Sequence, residues 1–147
     1  MDSKQGFNQH GGLTLIPLPG FEGIVTQLKA FLEDEKGQPT DIANRVFGRR
    51  SSGEPMLKLK KDHIGGHDCY IIGSGPGTPD MLMDLFVLLR YVSGRRAARI
   101  TLITGYFPLS RSDKDEADDE FALPPFFMDL AMAAAQGELK RVISVDL

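Results

Sequence analysis

The densest run of side chains capable of chemistry is "GYFPLSRSDKDEADDE", Gly105 to Glu120. An aromatic pair, Tyr106 and Phe107, precedes Arg111, Asp113 and a crowd of carboxylates. Arginine carries a rigid fork of donors that matches phosphate oxygens two at a time. The carboxylates Asp115, Glu116, Asp118, Asp119 and Glu120 are oxygen ligands of the type hard cations take. Their spacing matches no cation cage, and such a charge run is more commonly a solvated face. The segment follows the apolar run "RITLIT", so Arg111 and Asp113 stand just past the carboxyl end of a strand. That is where open α/β sheets bind ligands. A loop of this length in a compact domain carries function or is disordered.

Two other stretches compete. "GSGPGTPD", Gly73 to Asp80, joins a strand to a helix, the usual place for a phosphate cradle. It is neither G-x-G-x-x-G nor a P-loop, and Asp80 puts a negative charge in the first helical turn, where it opposes a bound anion. A tight structural turn is the better reading. "HIGGHDC" offers His63, His67, Asp68 and Cys69, but zinc sites pair two knuckles and no second knuckle exists. Cys69 opens an apolar strand and reads as a small core residue. No serine lies in a G-x-S-x-G elbow, so a hydrolase triad has no support.

These residues need a scaffold, and the chain has room for one. It has 147 residues, 41% hydrophobic and 25% charged, the composition of one globular domain with an ordinary core. Net charge is −3 and the 17 Lys and Arg are scattered, which argues against nucleic acid as ligand. The single cysteine excludes an internal disulfide and suits a reducing compartment. Residues 1–12 form a polar, flexible leader without signal-peptide character, and no apolar run is long enough to span a bilayer. A cytoplasmic location without membrane contact is expected.

Periodicity supplies the elements. "LTLIPLPG" reads as a strand, and "GIVTQLKAFLEDE" as a helix with Ile24, Val25, Leu28, Phe31 and Leu32 on one face. "EPMLKLK" alternates like a half-exposed strand, while "DCYII" and "ARITLIT" read as buried strands. Between the last two lies a helix announced by Thr78 at the N-cap, Pro79 and Asp80. It is apolar on nearly all sides from Met81 to Val92, so it is either sandwiched in the core or partly covered by another subunit. A helix over about 125–135 and a strand "RVISVDL" follow. The alternation predicts an α/β domain: a three-layer sandwich around a mostly parallel sheet with helices on both faces.

Three segments, in order, resemble the N-terminal domain of ribose-phosphate pyrophosphokinases, or PRPP synthetases. "SGEPMLKLKKDHIGGHDCYIIGS" is similar to the family stretch from Phe-x-Asp-Gly-Glu to a strand ending Gln-Ser. "PDMLMDLFVLLRYVSGRRAARITLITGYFPLSRSDK" is similar to the family helix Asn-Asp-Asn-Leu-Met-Glu-Leu and the segments Arg-Ile-Thr and Pro-Tyr-Phe-x-Tyr-x-Arg-Gln-Asp-Arg. "GELKRVISVDL" resembles the strand ending Val-Asp-Leu-His. The similarity runs from about Asn44 to the end and makes residues 13–147 a phosphoribosyltransferase-like N-terminal domain.

The resemblance implies an ATP site: Arg111 contacts the phosphates, Asp113 supports the nucleotide, and Tyr106 and Phe107 keep the family's aromatic pair. Glu54 matches the Glu that reaches the adenine of a neighbouring subunit. Arg50 stands where the family has the Phe that stacks on adenine, Ser52 where it has Asp, and Ser112 where it has Gln. The implied whole is a Mg²⁺-dependent transferase moving pyrophosphate from ATP to ribose 5-phosphate for nucleotide biosynthesis, and a homo-oligomer. The family's Mg²⁺-binding His and its ribose 5-phosphate domain lie past the matching segments, so this half is expected to be inactive alone. The departures at Arg50 and Ser52 leave a second reading, a non-catalytic regulatory or assembly homologue. An unrelated flavodoxin-like nucleotide binder, seated on the Gly73–Asp80 turn, is a third.

Overall fold

The computed structural model describes residues 11–59, 64–75, 77–110 and 123–146, with backbone alone for 45–47 and 146. Its elements, in chain order, are β1 (Leu13–Pro17), α1 (Glu22–Asp34), β2 (Thr40–Ile42), β3 (Arg45–Arg49), β4 (Pro55–Leu59), β5 (Asp68–Gly73), α2 (Pro79–Gly94), β6 (Arg99–Tyr106), α3 (Leu123–Ala134) and β7 (Leu139–Asp146). A five-stranded parallel sheet has the order β2-β1-β5-β6-β7, and β3 and β4 form a separate antiparallel hairpin.

That order fixes the layers. The step β1–α1–β2 moves one way across the sheet, while β5–α2–β6 and β6–α3–β7 move the other way. Right-handed crossovers therefore put α1 on one face and α2 and α3 on the opposite face. The buried side chains divide accordingly. Leu15, Val25 and Ile72 cluster under α1, whereas Ile71, Ile100, Leu102, Leu88, Leu89 and Phe127 belong to the larger core under α2 and α3. Each fully buried side chain of this kind contributes about 1.5–3 kcal/mol, so the second cluster dominates stability.

The start signals for α2 act as their types require. Thr78 has extended backbone (φ −61°, ψ 154°), and its hydroxyl accepts the Met81 N–H at 3.4 Å. The helix ends in a Schellman motif: the Ala97 N–H reaches the Val92 carbonyl and the Arg96 N–H the Ser93 carbonyl. Arg96 takes the left-handed position (φ 65°) usually given to glycine. The helix buries one face through Leu85, Leu88, Leu89 and Val92, and Met83 on the other side is 50% exposed. Within one copy it is therefore not sandwiched, and the apolar side chains of its outer face are only part-buried.

Two expectations shift. "EPMLKLK" is a strand, β4, but it pairs with β3 outside the main sheet. In α1 only Val25 is fully buried, while Ile24 and Phe31 are 54% and 50% exposed. The apolar positions of α1 span a wider arc than its contact with β1 and β2 covers.

Candidate functional site

The carboxyl ends of β1, β5 and β6 all lie along one rim of the sheet. The direction of chain travel reverses between β1 and β5, which makes that gap the topological switch point, where doubly wound sheets open a crevice. A cleft of about 230 Å³ occupies it, lined by Leu18 and Pro19 after β1, Ser74 after β5, and Met81 and Asp84 from the first turns of α2.

Ser74 joins this cleft to the next strand. Its Oγ accepts the Tyr106 N–H at 2.9 Å, tying the end of β5 to the end of β6. The Thr104 hydroxyl donates to the Tyr106 carbonyl, so both backbone groups of Tyr106 are held. Gly105 permits the approach, since a Cβ there would stand 3.3 Å from Ser74 Oγ. Immediately after, Phe107–Ser110 forms a β-turn closed by the Ser110 N–H to the Phe107 carbonyl at 3.2 Å. Pro108 fills its second position and Leu109, at φ 65°, its third, which type II turns reserve for glycine. Leu109 packs on Gly77 (φ 93°), where a Cβ would come within 2.7 Å of Leu109 Cδ2. A strained leucine two residues before Arg111 marks a chain direction imposed by its surroundings.

The hairpin β3–β4 approaches from the α2 side. Leu57 and Leu59 pack into the core, and Arg49 Nη1 donates to Asp84 Oδ1 at 2.8 Å. That hydrogen bond raises the Arg49 pKa above its usual value, with the charges of Asp84 and Asp80 adding to it. At the tip, Gly53 N–H donates to the Arg50 carbonyl at 2.8 Å, with Gly53 at φ 89°. Arg50 N–H donates to the Glu54 carbonyl at 2.9 Å. Asp84 therefore stands between the hairpin and the cleft.

The residues singled out from the sequence fall in three places. Arg111 and Asp113 lie outside the described residues, as do most of the carboxylates beyond Ser110 and His63. Arg50 and Glu54 share the hairpin tip, both exposed. Tyr106 is half-buried on the rim. Phe107 turns inward: it is 9% exposed and packs edge-on against Phe127, with ring centroids 5.4 Å apart at 82°. Of the "HIGGHDC" residues, Cys69 is fully buried, Asp68 pairs with Arg99 at 2.8 Å, and His67 Nδ1 lies 2.8 Å from Thr14 Oγ1.

Sequence reasoning missed Arg49, Ser74 and Asp84. Ser74 carried a signal, as the first polar residue after a buried strand. Arg49 and Asp84 are 35 residues apart, and only the docking of the hairpin on α2 brings them together.

Fold and rim together define the class: a doubly wound α/β domain with a flanking hairpin and a ligand cleft at its switch point. A family model described as the N-terminal domain of ribose phosphate pyrophosphokinase matches residues 32–122. The chain belongs to that family. It is 35% identical over 74 residues to a ribose-phosphate pyrophosphokinase of Haemophilus ducreyi, covering 50% of this chain and 23% of that protein. It is 31% identical over 77 residues to ribose-phosphate pyrophosphokinase 1 of Schizosaccharomyces pombe, covering 52% and 18%. Among solved structures, phosphoribosylpyrophosphate synthetase from Mycobacterium smegmatis superposes with a TM-score of 0.73 at 18% identity, over 92% of this chain and 48% of that one. A hypoxanthine phosphoribosyltransferase from Trypanosoma cruzi reaches 0.53 at 23% identity, over 73% and 57%. The chain thus spans about half the length of the solved synthetase, and the fold is phosphoribosyltransferase-like as expected.

Proposed function

We propose that this chain is the ATP-site half of a ribose-phosphate diphosphokinase-like protein, one that moves pyrophosphate from ATP to ribose 5-phosphate, and that it is inactive alone. The observation that carries the reading is the anchoring of Tyr106. Both of its backbone groups are fixed at the rim, and the turn after it launches the chain toward Arg111 within a family-matched segment. Diphosphoryl transfer is chiefly positioning plus electrostatic stabilisation of the phosphates. In this reading Arg111 binds phosphate oxygens and Asp113 supports the nucleotide. Phe107 acts from the core, holding the loop's base, while Tyr106 stays at the surface. Arg50 and Glu54, exposed at the hairpin tip, reach the base bound by a neighbouring copy. An arginine face can stack on adenine in place of the family's phenylalanine.

The partners are ATP with Mg²⁺, ribose 5-phosphate bound by a second domain, and further copies of the chain, in the cytoplasm. Among the described residues no group of three or more His, Cys, Asp or Glu could hold a metal ion. Mg²⁺ would arrive with the triphosphate. Among the described residues no helix is long and apolar enough to cross a membrane.

The second reading, a regulatory or assembly homologue, draws on Arg50 and Ser52 replacing the family's Phe and Asp. Joining the chain to the ribose 5-phosphate domain of a family member and assaying PRPP formation separates the two. Product formation supports the enzyme, and nucleotide binding without product supports the regulator.

A further inference from the structure

Three serines in the chain have an arginine three residues before them: Ser52 after Arg49, Ser93 after Arg90 and Ser144 after Arg141. A cation at that spacing is the charge pattern by which protein kinases with acidic subsites select a hydroxyl. Ser52 alone has a second arginine in between. In "RRSS" both Arg49 and Arg50 precede it, so two positive charges are offered to such a subsite. A kinase takes its target as an open segment, so access depends on how firmly each serine is held.

The fold locks two of the three. Ser93 lies in the last turn of α2, 8% exposed, with its hydroxyl 3.1 Å from both the Arg90 carbonyl and Gln136 Oε1. Its arginine is engaged as well: Arg90 Nε and Nη2 donate to the carbonyls of Ala134 and Ala133 at the end of α3, at 2.8 and 3.0 Å. Ser144 is half-buried inside β7, in register with Thr104 of β6. Reaching either one means unwinding α2 or stripping β7 from the sheet. Ser52 differs. Arg50 to Gly53 form a turn closed by the Gly53 N–H to the Arg50 carbonyl at 2.8 Å, with Ser51 and Ser52 at its centre. Every residue from Arg50 to Glu54 is exposed, and Ser52 Oγ only accepts the Glu54 N–H at a long 3.4 Å. The hairpin is held by Leu57 and Leu59 in the core, so the tip can open while the sheet stays intact. Arg49 donates to Asp84 at 2.8 Å through a partly exposed side chain, and a kinase carboxylate can take that place in kind.

We infer that Ser52 is a phosphorylation site, the acceptor for a serine/threonine kinase that reads basic residues on the amino side of its target. The phosphoryl donor is ATP bound by that kinase. Ser52 Oγ attacks the γ-phosphorus, the bond from that phosphorus to the β–γ bridging oxygen breaks, and ADP leaves. The hydroxyl proton passes to the kinase's catalytic aspartate. The new group carries a charge of about −1.5 to −2 at neutral pH. Arg49 and Arg50 against Glu54 leave the unmodified tip positive, and phosphorylation makes it negative. A tip of reversed sign repels the anions that the unmodified one attracts. The site stands on the hairpin's own sequence and geometry and does not depend on the ATP reading.

Incubating the intact chain with ATP and the catalytic subunit of cyclic-AMP-dependent protein kinase, an enzyme that selects paired arginines, tests it. Intact mass counts the phosphates and fragmentation spectra place them, with a short peptide substrate as the control on kinase activity. The expected result is one phosphate per chain, on Ser52. Ser52→Ala abolishes incorporation and Ser51→Ala does not. Arg50→Ala lowers the initial rate at least tenfold. Residues 50 to 52 are exposed, and far-ultraviolet circular dichroism checks that each variant stays folded. No incorporation into the folded wild type overturns the inference. So does phosphate on Ser51, Ser93 or Ser144 in place of Ser52, or a rate that Arg50→Ala leaves unchanged.

Discussion

Replacing Phe107 by alanine separates a core role from a ligand role for the family's aromatic pair. The ring is 9% exposed and meets Phe127 edge-on at 5.4 Å, and Phe127 is fully buried. Truncating a buried phenylalanine costs about 3–5 kcal/mol through lost transfer energy and the cavity left behind. Phe107 sits at the rim, where neighbours can partly collapse, so the low end applies, about 3 kcal/mol. In a domain of this size each kcal/mol moves the melting temperature by about 2–4 °C, which predicts a fall of roughly 9 °C. With a urea slope of about 2 kcal/mol/M, the unfolding midpoint falls by about 1.5 M. Phe107→Leu keeps most of the volume and loses chiefly the ring pair, about 1 kcal/mol. Tyr106→Ala, at a half-buried rim position, costs less than Phe107→Ala. Thermal and urea unfolding of the three variants gives the ranking directly. If Phe107→Ala melts within a degree of wild type while abolishing nucleotide binding, the inward placement of the ring is wrong and it contacts ligand instead.

Further predictions concern the caps and the hairpin. Arg96 holds a left-handed backbone at an exposed helix end, so Arg96→Gly should stabilise by about 0.5–1 kcal/mol, raising the melting temperature by roughly 2 °C. Arg49→Ala removes the tie to Asp84 and should speed amide exchange in β3 and β4, leaving that of β5 and β6 unchanged; uniform exchange would contradict the separate docking of the hairpin. Arg50→Phe restores the family's residue at the exposed tip and should tighten Mg-ATP binding several-fold by titration, whereas an unchanged affinity would remove the tip from the site.

The central elements were legible because their signals are local. Thr78, Pro79 and Asp80 mark the start of α2 in three consecutive residues, and "DCYII" and "ARITLIT" are strands, which run on one and two residues further, to Gly73 and Tyr106. The short strand β2 and the strand β3 were not. Three residues of "TDI" carry no usable period, and β3 is defined by its antiparallel partner β4. The partial burial of α1 is not legible either, because periodicity shows which residues share a face but not how much sheet lies beneath. Phe107 and Tyr106 are adjacent and aromatic, and only the turn at Pro108–Leu109 sends one inward and leaves the other on the rim. The site is read least completely. Ser74 and Asp84 acquire meaning through strand order and hairpin docking, neither of which any local pattern encodes.

Calorimetric titration of Mg-ATP into the wild-type chain and into Arg111→Ala tests the proposed nucleotide site most directly. The account predicts saturable binding to the wild type, with Arg111→Ala weakening it at least tenfold, about 1.4 kcal/mol, and leaving the melting temperature unchanged. Binding of equal affinity in the two proteins would contradict it, as would no binding by the wild type at millimolar nucleotide.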